Sequence, residues 1–152
     1  MHTEIEDSEN LKAFKKYQGE IISDSPSPYM NWLKPKLLNA SKGSLECAYE
    51  IRLEMTNPYG VLHGGITAGI IDDLIGATVY TLGLQARYTT VNNYIDYFAP
   101  AKMGDTIVAK TKIEKQGRQI INVSCEVILI GKNRLIAKGY SNMMNIGQAN
   151  TR

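Results

Sequence analysis

Hydrophobic and polar residues alternate between Gly43 and Glu54. Every second position in this segment is apolar, namely Leu45, Cys47, Tyr49, Ile51 and Leu53. Successive side chains of a β-strand point to opposite faces, so the alternation predicts a strand with one buried and one solvated face. The tripeptide Ser41-Lys42-Gly43 has the composition of a tight hairpin turn and would link this strand to an earlier one.

Five further segments have the length and composition of strands. They cover residues 32–40, 88–98, 105–115, 119–130 and 134–144. The last four are separated by short links, at residues 100–104, 116–118 and 131–133, that are rich in turn-forming residues. Short links favour antiparallel neighbours. The pattern therefore predicts a six-stranded, mostly antiparallel sheet.

Two segments have a helical pattern. Residues 8–22 carry apolar side chains at near-helical spacing, and the prolines within residues 23–28 end that pattern and predict a linker loop. Residues 66–82 lack proline and are apolar on almost every face, with Asp72 and Asp73 as the only charged residues. Such a helix must be covered by the rest of the protein. We therefore predict an α+β fold, with the sheet wrapped around one long central helix and a further helix at the N-terminus.

The length and composition suit one soluble domain. We expect an N-terminal helix and linker over residues 1–31, the domain itself over residues 32–146 and a disordered tail over residues 147–152. Hydrophobic residues at 43% and charged residues at 21% are typical of a globular protein. The net charge of +2 is spread without a basic block, which argues against nucleic-acid binding. No apolar run reaches the roughly 18 residues of a membrane span.

The cysteines and histidines exclude further kinds of site. Cys47 and Cys125 lie in strand-like segments without C-x-x-C spacing, which indicates two reduced core cysteines. The N-terminal segment lacks the apolar stretch of a secretory signal, so we expect a cytoplasmic protein. With only two histidines and no cysteine cluster, we expect no zinc site.

The residues best suited to catalysis lie just before the predicted central helix and in its first turns. The segment Asn57–Gly65 has the sequence Asn-Pro-Tyr-Gly-Val-Leu-His-Gly-Gly. Gly64 and Gly65 leave backbone N–H groups bare at the start of a helix, where unpaired donors and the helix dipole favour a negatively charged oxygen. Asp72, on the same helix, can act as nucleophile or general base on a carbonyl held at such an oxyanion hole. The combination indicates acyl transfer.

The spacing of these residues favours a dimer. Because nine residues separate His63 from Asp72, the two lie about 13 Å apart along a continuous helix and on opposite sides of it. One chain cannot easily bring them together. Two subunits related by a two-fold axis can do so if each gives its His63 and Gly64 to the Asp72 of the other. We therefore predict a homodimer with paired sites at its interface.

The same region carries a family resemblance. Four of its parts resemble the Asn…Gly-x-x-His-Gly-Gly…Asp signature of PaaI-like acyl-CoA thioesterases, namely Asn57, Gly60, the run His63-Gly64-Gly65, and Asp72. The segment Tyr97–Asp105 is similar to a strand-to-strand turn of that family. The resemblance implies the hotdog fold and hydrolysis of acyl-CoA to a free acid and coenzyme A, with no metal or redox cofactor. It also implies sites built from two subunits, and we expect the dimers to pair into a homotetramer.

The resemblance implies a role for each matching residue. Asp72 corresponds to the catalytic carboxylate, and the Gly64 N–H corresponds to the group that polarises the thioester carbonyl. Asn57 and His63 correspond to residues that hold the carbonyl and the attacking group in place. Thr90 matches, by residue type, a serine or threonine that contacts the attacking water.

Further residues are candidates for substrate contacts, namely Gly65, Tyr59, Asn92, Lys102 and Arg134. Tyr59 is bulky enough to narrow the mouth of the acyl site. Asn92 shares a face with Thr90 in a regular strand and can take over its role. Lys102 and Arg134 lie near predicted turns and can meet the phosphates of coenzyme A, although basic residues on turns are usually only solvated.

Several alternatives stay open at this point. His63 can be a loop residue whose imidazole ties a turn to the backbone, and Gly64 and Gly65 can serve close packing. Asp73, directly after Asp72, needs a proton, a partner or a position that faces solvent. For the function, the alternatives are a hydroxyacyl-thioester dehydratase of the same fold and a non-catalytic acyl-CoA-binding module.

Overall fold

One long helix lies against a single six-stranded sheet. The computed structural model describes residues 6–148, so residues 1–5 of the predicted N-terminal segment and residues 149–152 of the predicted tail lie outside the described residues. The helices are α1 (Glu9–Lys15), α2 (Pro28–Leu33) and α3 (Gly64–Tyr80), with a 3₁₀ helix over Leu53–Met55. The strands are β1 (Lys36–Ser41), β2 (Ser44–Glu50), β3 (Tyr88–Tyr97), β4 (Thr106–Gln116), β5 (Ile120–Leu129) and β6 (Arg134–Asn145).

All neighbouring strands are antiparallel, in the order β1-β2-β4-β5-β6-β3, so β1 and β3 form the two edges. α3 packs on one face of this sheet and buries the side chains of Ile70, Ile71, Leu74 and Ile75 completely. Gly139 on β6 permits the close approach, because a Cβ atom there would lie 2.8 Å from Cγ2 of Ile71. The predicted sheet and central helix are confirmed. Within residues 6–148, no helix is both long enough and apolar enough to cross a membrane.

The predicted bounds of α3 and of the last four strands are within two residues of those observed. The strand predicted over residues 43–54 ends early, at Glu50, and the prediction that Leu53 is buried with that strand is wrong, since its side chain is 70% exposed. The 3₁₀ turn that follows takes the chain out of the sheet and places Met55 in the core.

The N-terminal helix is shorter than its apolar pattern predicts. α1 begins after its N-cap, Ser8, but ends at Lys15 rather than at residue 22. The N–H groups of Gly19 and Ile22 donate instead to carbonyl oxygens in and just before β1, at 2.8 and 2.9 Å. Pairing with a distant segment therefore replaces the last helical turns. The left-handed φ of 78° at Gly19 allows the chain to turn there.

A short second helix, α2, lies where the sequence predicts the start of a strand over residues 32–40. The Ser27 hydroxyl accepts a hydrogen bond from a helix N–H, and Pro28 occupies the first helical turn. Lys34, with a φ of 54°, ends the helix, and β1 begins two residues later. The predicted strand start is therefore wrong. The sequence pattern missed this helix because six residues are too few to show a helical period.

Candidate active site

His63 is the N-cap of the central helix. Its Nδ1 atom accepts a hydrogen bond of 2.8 Å from the Gly65 N–H, and its backbone oxygen accepts two more from the first turn of α3. Because Nδ1 is an acceptor, the neutral imidazole carries its proton on Nε2. The side chain therefore ties the turn to the backbone, as one of the two sequence interpretations states, while the other nitrogen stays available on an exposed residue.

The two glycines differ in what their N–H groups do. The Gly65 N–H is used by His63, whereas the Gly64 N–H has no acceptor among the described residues. Gly64 is the first residue of α3, where the helix leaves N–H groups without internal partners. Its carbonyl oxygen accepts a bond of 2.7 Å from the Tyr97 hydroxyl, which anchors this turn to β3. Of the two glycines, Gly64 is therefore the one that can polarise a bound carbonyl.

Asn57 shapes the loop that leads to His63. Its Oδ1 atom accepts hydrogen bonds from the N–H groups of Tyr59 (3.0 Å) and Val61 (3.3 Å), so its amide oxygen is used inside the loop. The Nδ2 group has no acceptor among residues 6–148 and remains the part of Asn57 that can reach a ligand. Tyr59, at the tip of this loop, is 89% exposed. The loop is therefore held in shape by its own amide.

Asp72 receives two hydrogen bonds from β3. Thr90 Oγ1 donates to Asp72 Oδ1 at 2.8 Å, and Asn93 Nδ2 donates to the same oxygen at 3.0 Å. The other oxygen, Oδ2, has no donor among the described residues, so it is free to accept a proton or to attack. Two donors on one oxygen fix the orientation of the carboxylate. The structure thus brings the sequence-predicted pair Asp72 and Thr90 together.

Asn93 enters this site because of a β-bulge in β3. Thr90 pairs with Met143 of β6, whereas Asn92 pairs with Asn142, so Val91 is an extra residue in the ladder. One extra residue reverses the faces of everything after it. The prediction that Asn92 shares a face with Thr90 is therefore wrong. Asn92 Oδ1 instead accepts hydrogen bonds from the backbone and side chain of Asn142.

Asp73 has a different environment from its neighbour. It receives one long hydrogen bond, 3.4 Å, from the Ser27 hydroxyl, and its Oδ2 atom is buried without a partner within the described part of the chain. The pKa of Asp73 is raised to about 6, mainly by burial; the hydrogen bond from Ser27 opposes this shift, and the adjacent Asp72 carboxylate adds a smaller upward contribution. The environment therefore separates the two carboxyls, because Asp72 is held by donors and Asp73 is desolvated.

The two candidate basic residues lie on exposed positions. Lys102 forms an isolated backbone bridge with Val61, which places it beside the loop of Asn57, and its N–H donates to the carboxylate of Asp105. Arg134 is the first residue of β6. Neither side chain forms an ion pair with another described residue.

Asp72 and Thr90 line a cavity of approximately 530 Å³ between α3 and the N-terminal segment. Phe14, Pro26, Met30 and Ala77 supply apolar parts of its wall. The size and the mixture of apolar walls with a few polar groups are typical of a small-molecule site. Gly64 lies eight residues before Asp72 on α3, about 12 Å along the helix axis. Within one subunit, the N–H group and the carboxylate therefore do not converge.

Comparison with known proteins identifies the family. The thioesterase superfamily model matches residues 59–134, which is half of the chain. Human acyl-coenzyme A thioesterase 13 is 32% identical over 106 residues, covering 70% of this chain and 76% of the relative. The structure of zebrafish thioesterase superfamily member 2 is 26% identical with a TM-score of 0.74, and the match covers 90% of this chain and 95% of that one. E. coli PaaI, from the phenylacetic acid degradation operon, shares the fold with a TM-score of 0.77 at 17% identity, over 92% and 93% of the two chains.

These matches confirm the resemblance drawn from the His-Gly-Gly segment. The region matched by the family model begins in the loop before His63 and continues through α3 into the sheet. It therefore includes both the free N–H of Gly64 and the carboxylate of Asp72 with its donor Thr90. The chain belongs to the thioesterase superfamily, as a PaaI-like thioester hydrolase with the hotdog fold.

Proposed function

We propose that the protein hydrolyses acyl-CoA thioesters to free acid and coenzyme A at a site shared by two subunits. The observation that carries the proposal is the Asp72 carboxylate, which is held by Thr90 and Asn93 at the wall of a largely apolar cavity. An apolar cavity suits an acyl group, and an oriented carboxylate beside it suits attack on the thioester carbonyl. The name of the human relative, acyl-coenzyme A thioesterase 13, supports the choice of thioester.

The reaction needs no metal and no redox cofactor. The Gly64 N–H polarises the thioester carbonyl and stabilises the charge that develops on its oxygen. Asp72 then either takes a proton from an attacking water or attacks the carbonyl itself. In the first route the hydrated carbonyl expels the coenzyme A thiolate, which takes up the proton that Asp72 removed from water. In the second route the thiolate leaves an acyl anhydride on Asp72, and water hydrolyses this anhydride to the free acid and the carboxylate while the thiolate takes up a proton from water. The imidazole Nε2 of His63 and the free Nδ2 of Asn57 hold the carbonyl and the attacking group.

A second subunit supplies the missing half of each site. The N–H of Gly64 and the carboxylate of Asp72 lie about 12 Å apart along one helix, which is too far for both to contact one carbonyl. Within residues 6–148, β3 is an edge strand of ten residues, and an edge of this length is suited to pairing with another chain. Exposed apolar residues follow this edge, namely Val91, Tyr94, Tyr97 and Phe98. We infer a homodimer through β3, and a homotetramer of two such dimers.

The remaining groups serve the nucleotide end of the substrate. Lys102 and Arg134 are exposed cations that can meet the phosphates of coenzyme A. Tyr59, at the tip of the loop, and Gly65, at the helix start, border the entry to the carbonyl site. Cys47 and Cys125 are buried free thiols, which suits a reducing, cytoplasmic environment.

The proposal is tested by thiol release from a panel of short, medium, long and aromatic acyl-CoA thioesters. We expect Asp72→Asn to lower kcat by about 10²- to 10⁴-fold. Asp73→Asn is the matched control, because it removes the adjacent carboxyl from the same helix, and we expect it to lose less than tenfold. Equal losses in the two variants would contradict the assignment. Binding of every thioester without thiol release would indicate the acyl-CoA-binding module. An unsaturated thioester formed from a hydroxyacyl-CoA added to the panel would indicate the dehydratase.

The shared site is tested by complementation between subunits. Gly64→Pro removes the N–H alone, and proline is tolerated at the first position of a helix. We expect this variant to lose about 10²- to 10³-fold in kcat. A heterodimer of one Gly64→Pro subunit and one Asp72→Asn subunit, purified through two different tags, contains one intact site if sites are shared. Recovery toward half of the wild-type rate supports sharing, and no recovery places both groups in one subunit.

A further inference from the structure

The cavity beside Asp72 continues along α3 toward its C-terminal end. Asp72 and Thr90 lie at one end, and Gly76, Ala77 and Tyr80 follow on the next turns of the helix. The opposite wall comes from the N-terminal segment, including Phe14 and Met30. The cavity is therefore a trough whose long axis follows the helix, with the reacting groups at its beginning.

A second cavity lies beyond this trough. It has a volume of approximately 780 Å³ and extends past the C-terminal end of α3 to residues 84–88 and to Met143 of β6. The two cavities share Gly76 and Tyr80 in their walls. Tyr80 therefore stands at the boundary between them.

The ring of Tyr80 is held by a contact from the N-terminal helix. Phe14 meets it edge-to-face, with ring centroids 6.2 Å apart and an interplanar angle of 79°. The Asn10 side chain donates a hydrogen bond of 3.1 Å to the Tyr80 carbonyl oxygen. Both contacts come from α1, so α1 fixes the boundary between the two cavities.

Gly76 keeps the trough open at the same turn. A Cβ atom on Gly76 would meet no other atom within 4 Å, so packing within the chain does not require a glycine there. A glycine inside a helix costs about 0.5–1 kcal/mol relative to alanine. The empty space above Gly76, together with its place in both cavities, marks the position where a chain-like ligand can pass.

We propose that this trough receives the acyl chain and that Tyr80, backed by Phe14, is the stop that limits its length. The inference rests on the proposed acyl-CoA hydrolysis and extends it to the substrate class. Tyr80 lies eight residues after Asp72, about 12 Å along the helix. An extended chain with carbon–carbon bonds of about 1.5 Å advances roughly 1.3 Å per carbon, so the trough accepts about nine carbons. The preferred substrates are medium-chain acyl thioesters.

The test is the dependence of kcat/KM on chain length, measured with saturated acyl-CoA thioesters from butanoyl to hexadecanoyl. For the wild type we expect a decline beyond about ten carbons. Tyr80→Ala joins the two cavities, and we expect the ratio of kcat/KM for tetradecanoyl to octanoyl substrates to rise at least about tenfold. Tyr80→Phe keeps the ring and its contact with Phe14, so it should keep the wild-type ratio.

A second variant works in the opposite direction. Gly76→Leu adds a side chain at a position where a Cβ atom meets nothing within 4 Å. It provides an independent test if Tyr80→Ala is too unstable to purify. We expect the ratio of kcat/KM for octanoyl to butanoyl substrates to fall at least about tenfold in this variant. A chain-length profile that neither Gly76→Leu nor Tyr80→Ala moves would overturn the inference. Absence of hydrolysis of any thioester by the wild type would instead contradict the proposed function itself.

Discussion

Thr90 Oγ1 donates a hydrogen bond of 2.8 Å to Asp72 Oδ1, joining β3 to the middle of the central helix. The bond fixes the rotation of the carboxylate and leaves Oδ2 without a donor among residues 6–148. A hydrogen bond to a charged group contributes about 1.5–3 kcal/mol. The orientation of the Asp72 carboxylate therefore depends on the Thr90 hydroxyl together with the Asn93 amide of the same strand.

Thr90→Val removes this donor with little change in shape. We expect kcat to fall about 10- to 100-fold, because 1.4 kcal/mol corresponds to a factor of ten in rate. Thr90→Ser keeps the hydroxyl and should keep a rate within about threefold of the wild type. Steady-state thiol release from one acyl-CoA substrate measures both. Equal rates for the valine and serine variants would show that the hydroxyl has no role in turnover.

Asn93 and Asn92 form a matched pair for testing the bulge. Asn93→Ala removes the second donor to Asp72, and we expect a loss of about tenfold in kcat. Asn92→Ala removes only its contacts with Asn142 on the other face, so kcat should stay within about twofold while the melting temperature falls. The two variants are compared by thiol release and by thermal unfolding. The reverse order of the two kcat losses would contradict the observed register.

The cap made by His63 can be separated from its part in the reaction. His63→Ala removes the acceptor for the Gly65 N–H and should cost about 1 kcal/mol of stability. His63→Asn restores a good N-cap, so its unfolding free energy should return close to that of the wild type. We expect both variants to lose turnover, because asparagine does not replace Nε2. Urea denaturation and thiol release measure the two properties, and full activity of His63→Asn would assign His63 to the cap alone.

Asp73 gives the folded protein a specific dependence on pH. Burial raises its pKa to about 6, whereas the carboxyl ordinarily titrates at 3.8, so the folded state binds more protons between these values. The stability that the protonated group contributes is complete below about pH 4 and is lost as the pH rises through 6. We expect a loss of about 2 kcal/mol across this window, reduced from the full shift because the group is partly exposed.

The comparison variant for this effect is Asp73→Asn, which cannot titrate. Urea unfolding of both proteins from pH 4 to pH 7 gives the difference in free energy of unfolding. That difference should move in favour of the asparagine variant as the pH rises. A difference that stays constant over the range would show that Asp73 is ionised in the fold at all these values.

The sequence predicts those elements whose ends carry their own signals. α3 and the last four strands are bounded by glycine-rich or proline-containing links, which is why their bounds are within two residues of the prediction. The helix predicted to end at residue 22 is an exception. Residues after Lys15 form hydrogen bonds with the region of β1 instead of continuing the helix. The resemblance to PaaI-like thioesterases is enough to predict that Asp72 and Thr90 belong to one site. Asn93 was not, because a bulge depends on how β3 pairs with β6 and leaves no mark in the local pattern.

The extra residue at Val91 also decides which side chains of β3 face α3 at two distant points. Asn93 donates to Asp72, and Tyr97 donates to Gly64. Both residues follow the bulge, and both lie on the face of β3 that the bulge turns toward α3. If β3 paired with β6 without the bulge, with Val91 taken into the regular ladder, alternation from Thr90 would bring Asn92 to Asp72, a conservative exchange. The same regular pairing would turn Asp96 toward Gly64 in place of the neutral Tyr97 phenol, and set a negative charge beside the N–H that we propose polarises the thioester carbonyl. A single bulged residue thus decides whether a neutral or a charged side chain lies beside the start of α3, roughly six residues and about 20 Å further along the strand.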